Sequence, residues 1–152
     1  SGIIVKGLYD VAVHFSKCCS PVPGDEIVGF VTRGRGVSIH RTDCINIINL
    51  SDMERERLID AEWQHDEESG SSGLYLAEIK VFCNNRTGLL VDITRAFTER
   101  EIDINAIHSK TSKQGIATID ISFNTKGKAE LTSVIDKLRQ IDSIIDIERT
   151  TG

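Results

Sequence analysis

The chain has 152 residues and a net charge of −5, and 39% of its residues are hydrophobic. That length allows one large domain or two small ones. The charge excludes the broad basic excess of an autonomous nucleic-acid-binding protein, and no stretch reaches the roughly 18 apolar residues of a membrane span. Four cysteines without a recognisable signal sequence predict reduced thiols in a cytoplasmic protein with no membrane partner.

A polar connector divides the chain into two parts. Residues 64–73, QHDEESGSSG, are acidic and rich in Gly and Ser, and they have no apolar periodicity. Such a composition predicts a flexible linker. We therefore predict a first domain over residues 1–63 and a second over residues 74–152, and we expect both to be of the α+β class.

The first domain is predicted to be a small α+β unit with an antiparallel sheet. Apolar, β-branched or alternating segments predict strands at residues 3–6, 11–15, 27–32, 37–40 and 59–63. Thr42 or Asp43 is placed to N-cap a helix that contains Cys44 and continues to Leu50. Between the third and fourth strands, Arg33-Gly34-Arg35-Gly36 predicts a hairpin turn.

Apolar periodicity in the second domain predicts the order βαββαβ, the ferredoxin-like arrangement. The predicted strands are residues 75–83, 102–111, 116–123 and 144–149, and the predicted helices are residues 89–100 and 128–141. The third of these strands alternates, so one of its faces is expected to be buried: Ala117, Ile119, Ile121 and Phe123.

Residues 15–44 concentrate side chains that bind metals: Cys18, Cys19, His40 and Cys44. Thiolates and imidazole are ligands that zinc prefers, and the i, i+4 spacing of His40 and Cys44 suits one helical face. Adjacent cysteines, by contrast, are expected to project in different directions, unlike the cysteines of a Cys-x2-Cys knuckle. The residues alone leave three alternatives open: a zinc site, a metal-free fold that contacts RNA, and packed thiols.

The same segment holds a group of basic residues: Lys17, Arg33, Arg35, His40 and Arg41. We expect them to form one basic neighbourhood that contacts RNA phosphates within a larger assembly. A surface of this size would bind RNA weakly by itself. The alternative for the arginines is a hairpin turn with solvated side chains.

The second domain resembles an ACT domain, a small-molecule-binding regulatory module. The loop Asn85-Arg86-Thr87-Gly88-Leu89-Leu90 looks like the first loop of that family, and Ile102-Asp103-Ile104-Asn105 looks like the opening of its second strand. The resemblance implies a homodimer with an amino acid, of the branched-chain type in some relatives, bound between that loop and the second strand of the neighbouring subunit. The candidate ligand residues are Asn84, Asn85, Arg86, Gly88, Leu89, Leu90, Asp103 and Asn105.

Residues 17–44 closely resemble the conserved-cysteine domain of long RelA/SpoT homologues, which is also called the zinc-finger or ribosome-intersubunit domain. In that family this domain precedes a C-terminal ACT domain, which is the order found here. The resemblance implies the C-terminal regulatory region of an enzyme that makes and degrades the alarmone (p)ppGpp. It also implies docking on ribosomal RNA, where uncharged tRNA signals starvation, and transmission of that signal to the catalytic domains.

The sequence lacks the motifs that the chemistry of such a parent enzyme requires. We find no His-Asp metal cluster for pyrophosphate hydrolysis and no Gly-rich phosphate loop. The chain is therefore expected to be non-catalytic, within a parent GTP pyrophosphokinase and (p)ppGpp pyrophosphohydrolase. Two alternatives remain: a stand-alone ACT dimer that senses branched-chain amino acids, and a structural zinc or redox-thiol domain.

Overall fold

The computed structural model describes residues 2–8, 10–64 and 73–150. Two compact units are separable, one within residues 1–73 and the other spanning Leu74–Thr150. Most of the predicted linker, residues 65–72, lies outside the described residues. Within the described ranges, no helix is long and apolar enough to cross a membrane. Helices and strands occur in both units, which confirms the predicted α+β class.

In its described residues, the first unit is built from short strands and two helices of four residues each. Its strands are β1 (Ile3–Val5), β2 (Val13–Phe15), β3 (Ile27–Val31), β4 (Val37–Arg41), β5 (Leu58–Ile59) and β6 (Ala61–Trp63). Its helices are α1 (Ile45–Ile48) and α2 (Asp52–Arg55). The predicted closing strand over residues 59–63 is thus divided, and its parts β5 and β6 join different sheets.

The strands of the first unit form a β1–β6 ribbon and a four-stranded sheet in the order β2-β4-β3-β5. β3 and β4 form the predicted hairpin, with Val31 opposite Val37. β2 is parallel to β4, with Phe15 opposite Ile39, so the prediction of an antiparallel sheet is wrong for this pair. A parallel pair needs a long crossover, and residues 16–36, which include β3, provide it.

The four-stranded sheet has an apolar cluster on each face. On one face the buried members are Val5, Val37 and Ile39. On the other face the cluster consists of Cys19, Cys44 and Ile47 with partly buried Cys18, Val28, Leu50 and Leu58. Because side chains alternate along a strand, His40 projects to the opposite face from Ile39. The cysteines therefore lie in a small core of their own.

α1 begins one residue later than the predicted helix. Cys44 is its N-cap, in an extended conformation, and lies outside the helix. The Cys44 N–H donates to the carbonyl of Arg41 at 3.1 Å, within the turn that leaves β4. The prediction that Thr42 or Asp43 caps a helix containing Cys44 is therefore wrong, because those two residues form the turn.

The second unit has the predicted order βαββαβ. Its elements are β7 (Tyr75–Asn84), α3 (Leu89–Thr98), β8 (Ile104–Thr111), β9 (Ile116–Thr125), α4 (Lys128–Arg139) and β10 (Ile144–Arg149). The strands pair antiparallel in the order β10-β7-β9-β8. This is the ferredoxin-like arrangement, so the prediction is confirmed. β8 begins two residues after its predicted start, because Ile102 is buried in the segment that precedes it.

One face of this sheet forms the core of the second unit. The buried residues of β7 are Ala77, Ile79, Val81 and Cys83, and those of β9 include Ala117, Ile119, Ile121 and Phe123. The predicted buried face of β9 is therefore confirmed. α3 contacts it through Phe97, whose ring centroid lies 5.0 Å from that of Phe123. Complete burial of such a side chain contributes about 1.5–3 kcal/mol.

Candidate metal centre and the surfaces around it

The turn after β2 brings two adjacent cysteines to the same side of the backbone. Residues 17–19 form this turn, and the Ser20 N–H donates to the carbonyl of Ser16 at 3.0 Å. Ser20 adopts a left-handed φ of 47°. As a result the Sγ atoms of Cys18 and Cys19 lie 4.0 Å apart. The expectation that adjacent cysteines diverge applies to extended backbone, and it is wrong here because the backbone turns.

His40, near the end of β4, faces these two thiols. Its Nδ1 lies 3.4 Å from the Sγ of Cys18 and 3.9 Å from the Sγ of Cys19. Its Nε2 lies 3.0 Å from the Oγ of Ser38. A hydrogen-bond partner on the second ring nitrogen fixes the orientation of a metal-ligating histidine. The ring is thus held with one nitrogen directed at the cysteines.

Cys44 joins the group from the start of α1. Its side chain is completely buried, and its Sγ lies 3.4 Å from that of Cys18. The three Sγ atoms and the His40 imidazole nitrogen all lie within 4.8 Å of one another. We call Cys18, Cys19, His40 and Cys44 the Cys3His cluster. It connects the turn after β2 to a distant part of the chain, the end of β4 and the start of α1.

The donor set fits a tetrahedral zinc ion. Zn–S bonds of about 2.3 Å and Zn–N bonds of about 2.0 Å give a regular tetrahedron with edges of about 3.5–3.8 Å. Four of the separations between donor atoms run from 3.4 Å to 4.0 Å and bracket those edges. The Arg41 N–H donates to the Sγ of Cys19 at 3.3 Å, which stabilises a thiolate. Three thiols and one imidazole are the ligands of a closed, structural site rather than a catalytic one.

The thiols of the cluster differ in acidity. Burial raises the pKa of Cys19 and the pKa of Cys44. Burial also acts to raise the pKa of Cys18, but hydrogen bonds from side chains that include Ser16 and Asn46 outweigh it and leave that pKa lowered. Cys18 therefore ionises more readily than its two neighbours.

The imidazole of the cluster is held in its neutral form. Burial lowers the pKa of His40, and the nearby charge of His14 lowers it further. A histidine whose pKa lies below its ordinary value is neutral at pH 7. Neutral imidazole is the form that binds a metal ion.

Arg41, a predicted RNA contact, is buried instead. Only 5% of its surface is exposed. Its Nε and Nη2 donate to the two carboxylate oxygens of Asp43 at 2.9 Å and 2.7 Å, and its Nη1 donates to the carbonyl of Cys19 at 3.2 Å. The guanidinium therefore links the turn before α1 to the turn of residues 17–19, which we call the cysteine turn. It is not presented to RNA.

The predicted single basic neighbourhood does not form. Lys17 lies in the cysteine turn, whereas Arg33 and Arg35 lie in the β3–β4 turn at the opposite end of β4. The five residues of β4 span about 17 Å. Lys17 and both arginines are exposed, but only the two arginines share one end of the sheet.

A third arginine, which sequence analysis missed, lies at the same end. The Arg57 Nε donates to the carbonyl of Val31 at 2.9 Å, and its guanidinium lies 4.6 Å above the ring of Phe30. We call Arg33, Arg35 and Arg57 the arginine end. No local pattern reveals Arg57, because it reaches this position through the long-range pairing of β5 with β3.

The predicted amino-acid-binding residues form two groups that a single chain does not bring together. One group surrounds the loop after β7: Asn84, Asn85, Arg86, Gly88, Leu89 and Leu90. The other, Asp103 and Asn105, lies at the start of β8. Asn84 pairs with Ile116 of β9, whereas Ile104 pairs with Phe123, seven positions further along that strand. At about 3.3 Å per residue the two groups are about 23 Å apart.

Arg86 is engaged by a carboxylate of its own chain. Its Nη2 lies 2.7 Å from Oδ2 of Asp92, and Arg95 lies 3.4 Å from the other oxygen of the same carboxylate. Gly88, with φ of 80°, is the N-cap of α3 and permits the tight entry into that helix. Asp92 therefore competes with any ligand carboxylate for Arg86.

Other residues of the two groups differ in exposure. Leu89 is only 3% exposed and belongs to the core, whereas Leu90 is 45% exposed. Asp103 and Asn105 are exposed, and the side-chain amide of Asn105 donates to that of Asn124 at 3.1 Å. Leu90 and Asp103 are thus accessible, while Leu89 acts in packing.

Both units match known domain families. Residues 3–64 match the RelA/SpoT RIS domain, and residues 71–149 match the ACT domain. The GTP pyrophosphokinases of Streptomyces coelicolor and Escherichia coli are each 39% identical over 99% of this chain, which spans only 17% and 20% of their lengths. The crystal structure of the ACT domain from the GTP pyrophosphokinase of Chlorobium tepidum is 27% identical, with a TM-score of 0.46, over 51% of this chain and 99% of that one.

The fold and the matches define the class of this protein. An α+β unit with a Cys3His cluster, followed by a ferredoxin-like unit, is a RIS domain followed by an ACT domain. The chain belongs to the RelA/SpoT family, and the resemblance predicted from its sequence is confirmed.

Proposed function

We propose that this chain is a non-catalytic regulatory module of a (p)ppGpp synthetase/hydrolase. The matches support this, because they cover the RIS and ACT domains of relatives that are about five times longer. In the proposal, the RIS domain docks the parent enzyme on ribosomal RNA where an uncharged tRNA occupies the A site. The ACT domain then passes that state to the catalytic domains of the same protein.

The arginine end carries the docking part of the proposal. Guanidinium groups suit RNA phosphates, because they donate several directed hydrogen bonds and are weakly hydrated. The turn that carries Arg33 and Arg35 is fixed by the Thr32 N–H, which donates to the carbonyl of Gly36 at 2.9 Å. The Arg57 side chain is held by its hydrogen bond to the carbonyl of Val31. Because the backbone that carries the arginines is already ordered, binding does not incur the cost of ordering a loop.

The Cys3His cluster supports this surface rather than forming it. We propose that it binds a structural zinc ion, which would hold the ends of β2 and β4 together and fix the start of α1. His40 and Arg41 then act inside the domain. Lys17, exposed in the cysteine turn, is a separate candidate for binding RNA.

Binding of the chain to ribosomes that carry uncharged A-site tRNA, measured over a series of salt concentrations, tests the docking proposal. The triple variant R33A/R35A/R57A should bind more weakly, and its slope of log affinity against log salt should fall by about 1 for each phosphate that the variant no longer neutralises. The variant K110A/K113A/K126A removes the same charge from exposed lysines of the second unit and should leave the slope unchanged. Equal affinity and slope in wild type and the arginine variant would refute the proposal.

A second candidate function is amino-acid sensing by an ACT dimer. β8 is an edge strand whose residues 105–111 are all exposed. Antiparallel pairing of two β8 strands would place the start of one beside the end of the other. The Asp103 group of one copy would then lie level with the Arg86 loop of its partner, which a single chain cannot achieve.

Calorimetry with valine, isoleucine and leucine tests the sensing proposal. Heat of binding should appear at protein concentrations where the chain is dimeric, and it should be lost in the Asp103→Ala variant. Lys113→Ala, an exposed change at the turn after β8, is the matched control. No heat at millimolar ligand would refute the sensing proposal, and it would not bear on the proposal of ribosome docking.

A further inference from the structure

We propose that Cys18 and Cys44 are a peroxide-reactive thiol pair that closes to a disulfide and thereby dismantles the Cys3His cluster. Their Sγ atoms lie 3.4 Å apart although 26 positions separate them in sequence. A disulfide needs an S–S distance of about 2.0 Å, so the two sulfurs must approach by about a further 1.4 Å. This oxidation site is independent of the proposed RNA-binding surface.

Exposure decides which thiol reacts first. Cys19 and Cys44 are buried, with 1% and 0% of their surfaces exposed, whereas Cys18 is partly exposed. A small oxidant therefore reaches the Sγ of Cys18 before the others. The Oγ of Ser16 lies 2.8 Å from that sulfur and holds it at the surface of the turn. Cys18 is the attacking thiol, and buried Cys44 is the resolving thiol.

The reaction balances with a peroxide as the oxidant. The Cys18 thiolate attacks one oxygen of hydrogen peroxide, the O–O bond breaks, and the leaving oxygen takes up a proton to depart as water. The product is a sulfenic acid on Cys18. The Cys44 thiolate then attacks that sulfur and displaces its hydroxyl, which leaves as a second water. Two thiols are oxidised and one peroxide is reduced to two waters.

Cys19 is the other thiol with which Cys18 could form a disulfide, and geometry disfavours that bond. Its Sγ is further from Cys18, at 4.0 Å, and a disulfide between adjacent residues departs from the preferred geometry of the bond. Its sulfur also accepts the Arg41 N–H, which holds it in place. Closure between Cys18 and Cys44 removes two of the four donors, so the oxidised chain can no longer hold a metal ion in a tetrahedral site.

Peptide mapping after peroxide treatment of the full chain tests the proposal. Trypsin cleaves after Lys17, Arg33, Arg41 and Arg55, which places Cys18 and Cys19 in one peptide and Cys44 in another. The expected product is a cross-link between residues 18–33 and residues 42–55 that dithiothreitol reverses. Thiol titration of the denatured protein should fall from four free thiols to two.

Two variants and an internal reference complete the experiment. Cys19→Ser should still give the cross-link, and Cys44→Ser should instead leave a sulfenic acid on Cys18 that dimedone traps. Cys83, buried in the second unit, should stay reduced throughout. A bridge confined to the 18–33 peptide, loss of the cross-link in Cys19→Ser, or loss of thiols without any cross-link would overturn the proposal.

Discussion

The Nδ1 of His40 lies 3.4 Å from the Sγ of Cys18, so the end of β4 is joined to the turn that follows β2. These two strands form the parallel pair of the first unit, and they share only three residue pairs. So short a pair is marginal by itself. The few hydrogen bonds between the two strands hold them together only weakly. The Cys3His cluster therefore adds a second connection at one end of the pair.

Metal removal should destabilise the first unit and spare the second. We expect close to one zinc ion per chain in protein purified without chelator, and loss of that ion in Cys19→Ser and His40→Ala. Chelation should lower the free energy of unfolding of the first unit by on the order of 5 kcal/mol, because binding energy at a structural site is folding energy. Trp63, the single tryptophan, lies in that unit and reports its unfolding by fluorescence.

Two results would contradict this prediction. A zinc content near zero in wild-type protein would show that the cluster binds no zinc. Equal zinc content in wild type and His40→Ala would show that the imidazole is not a ligand. Cys83→Ser, which alters a thiol of the second unit, should keep its zinc and serves as the control.

Stability of the metal-free first unit should fall in mildly acidic solution. The pKa of His40 is lowered in the folded chain from its ordinary value of 6.5, so the unfolded state binds more protons below that pH. The contribution of His40 to the free energy of unfolding is fully present above pH 6.5, and it is lost as the pH falls through the pKa of the folded chain. Urea unfolding followed by Trp63 fluorescence at pH 7.5 and pH 5 measures it. His40→Asn should show a smaller decrease, and an equal decrease would assign the effect to other groups.

Gly36 and Gly34 should differ sharply as sites of substitution, although both lie in the β3–β4 turn. A Cβ at Gly36 would meet the carbonyl oxygen of Ala12 at 2.1 Å, and φ there is +74°; Gly34 has φ of +92° but open space around it. We expect Gly36→Ala to cost at least about 2 kcal/mol and Gly34→Ala about 1 kcal/mol. Denaturant unfolding of the first unit compares the two, and equal losses would contradict the close approach to Ala12.

Arg41→Ala should destabilise the first unit, although the change removes no exposed charge. The change removes hydrogen bonds to the exposed Asp43 and to the carbonyl of Cys19, for a loss of about 2 kcal/mol. Arg33→Ala, at an exposed position, should stay within about 0.5 kcal/mol of wild type. Matching stabilities for these two variants, measured by urea unfolding, would contradict the buried role of Arg41.

The second unit was predictable from local pattern. Its strands alternate and its helices carry an apolar stripe, so each element buries one face whatever its neighbours are. The observed ends of the elements differ from the predicted ends by one or two residues. At β8, for example, Ile102 packs in the core before the strand begins. Hydrogen bonding at the ends of elements depends on tertiary contacts, which local pattern does not contain.

The first unit was predictable only in its parts. The strands and the Arg33–Gly36 turn follow from β-branched runs and glycines, yet the parallel pairing of β2 with β4 does not. That pairing depends on a crossover of residues 16–36, and short strands carry little information about their partners. The pairing of β2 with β4 moved Lys17 away from the arginines, and the long-range pairing of β5 with β3 brought Arg57 to them.

The sequence by itself determined which chemistry this protein carries: three thiols and an imidazole near the start, a ferredoxin-like unit after a polar connector, and a resemblance to the RelA/SpoT family. Only the tertiary structure decided how those groups meet. The direction of a side chain depends on local backbone geometry, and a single left-handed residue at Ser20 ends the turn that carries Cys18 and Cys19. Whether Arg41 is exposed or buried depends on Asp43 and Cys19 as folded neighbours, which residue type and spacing do not specify.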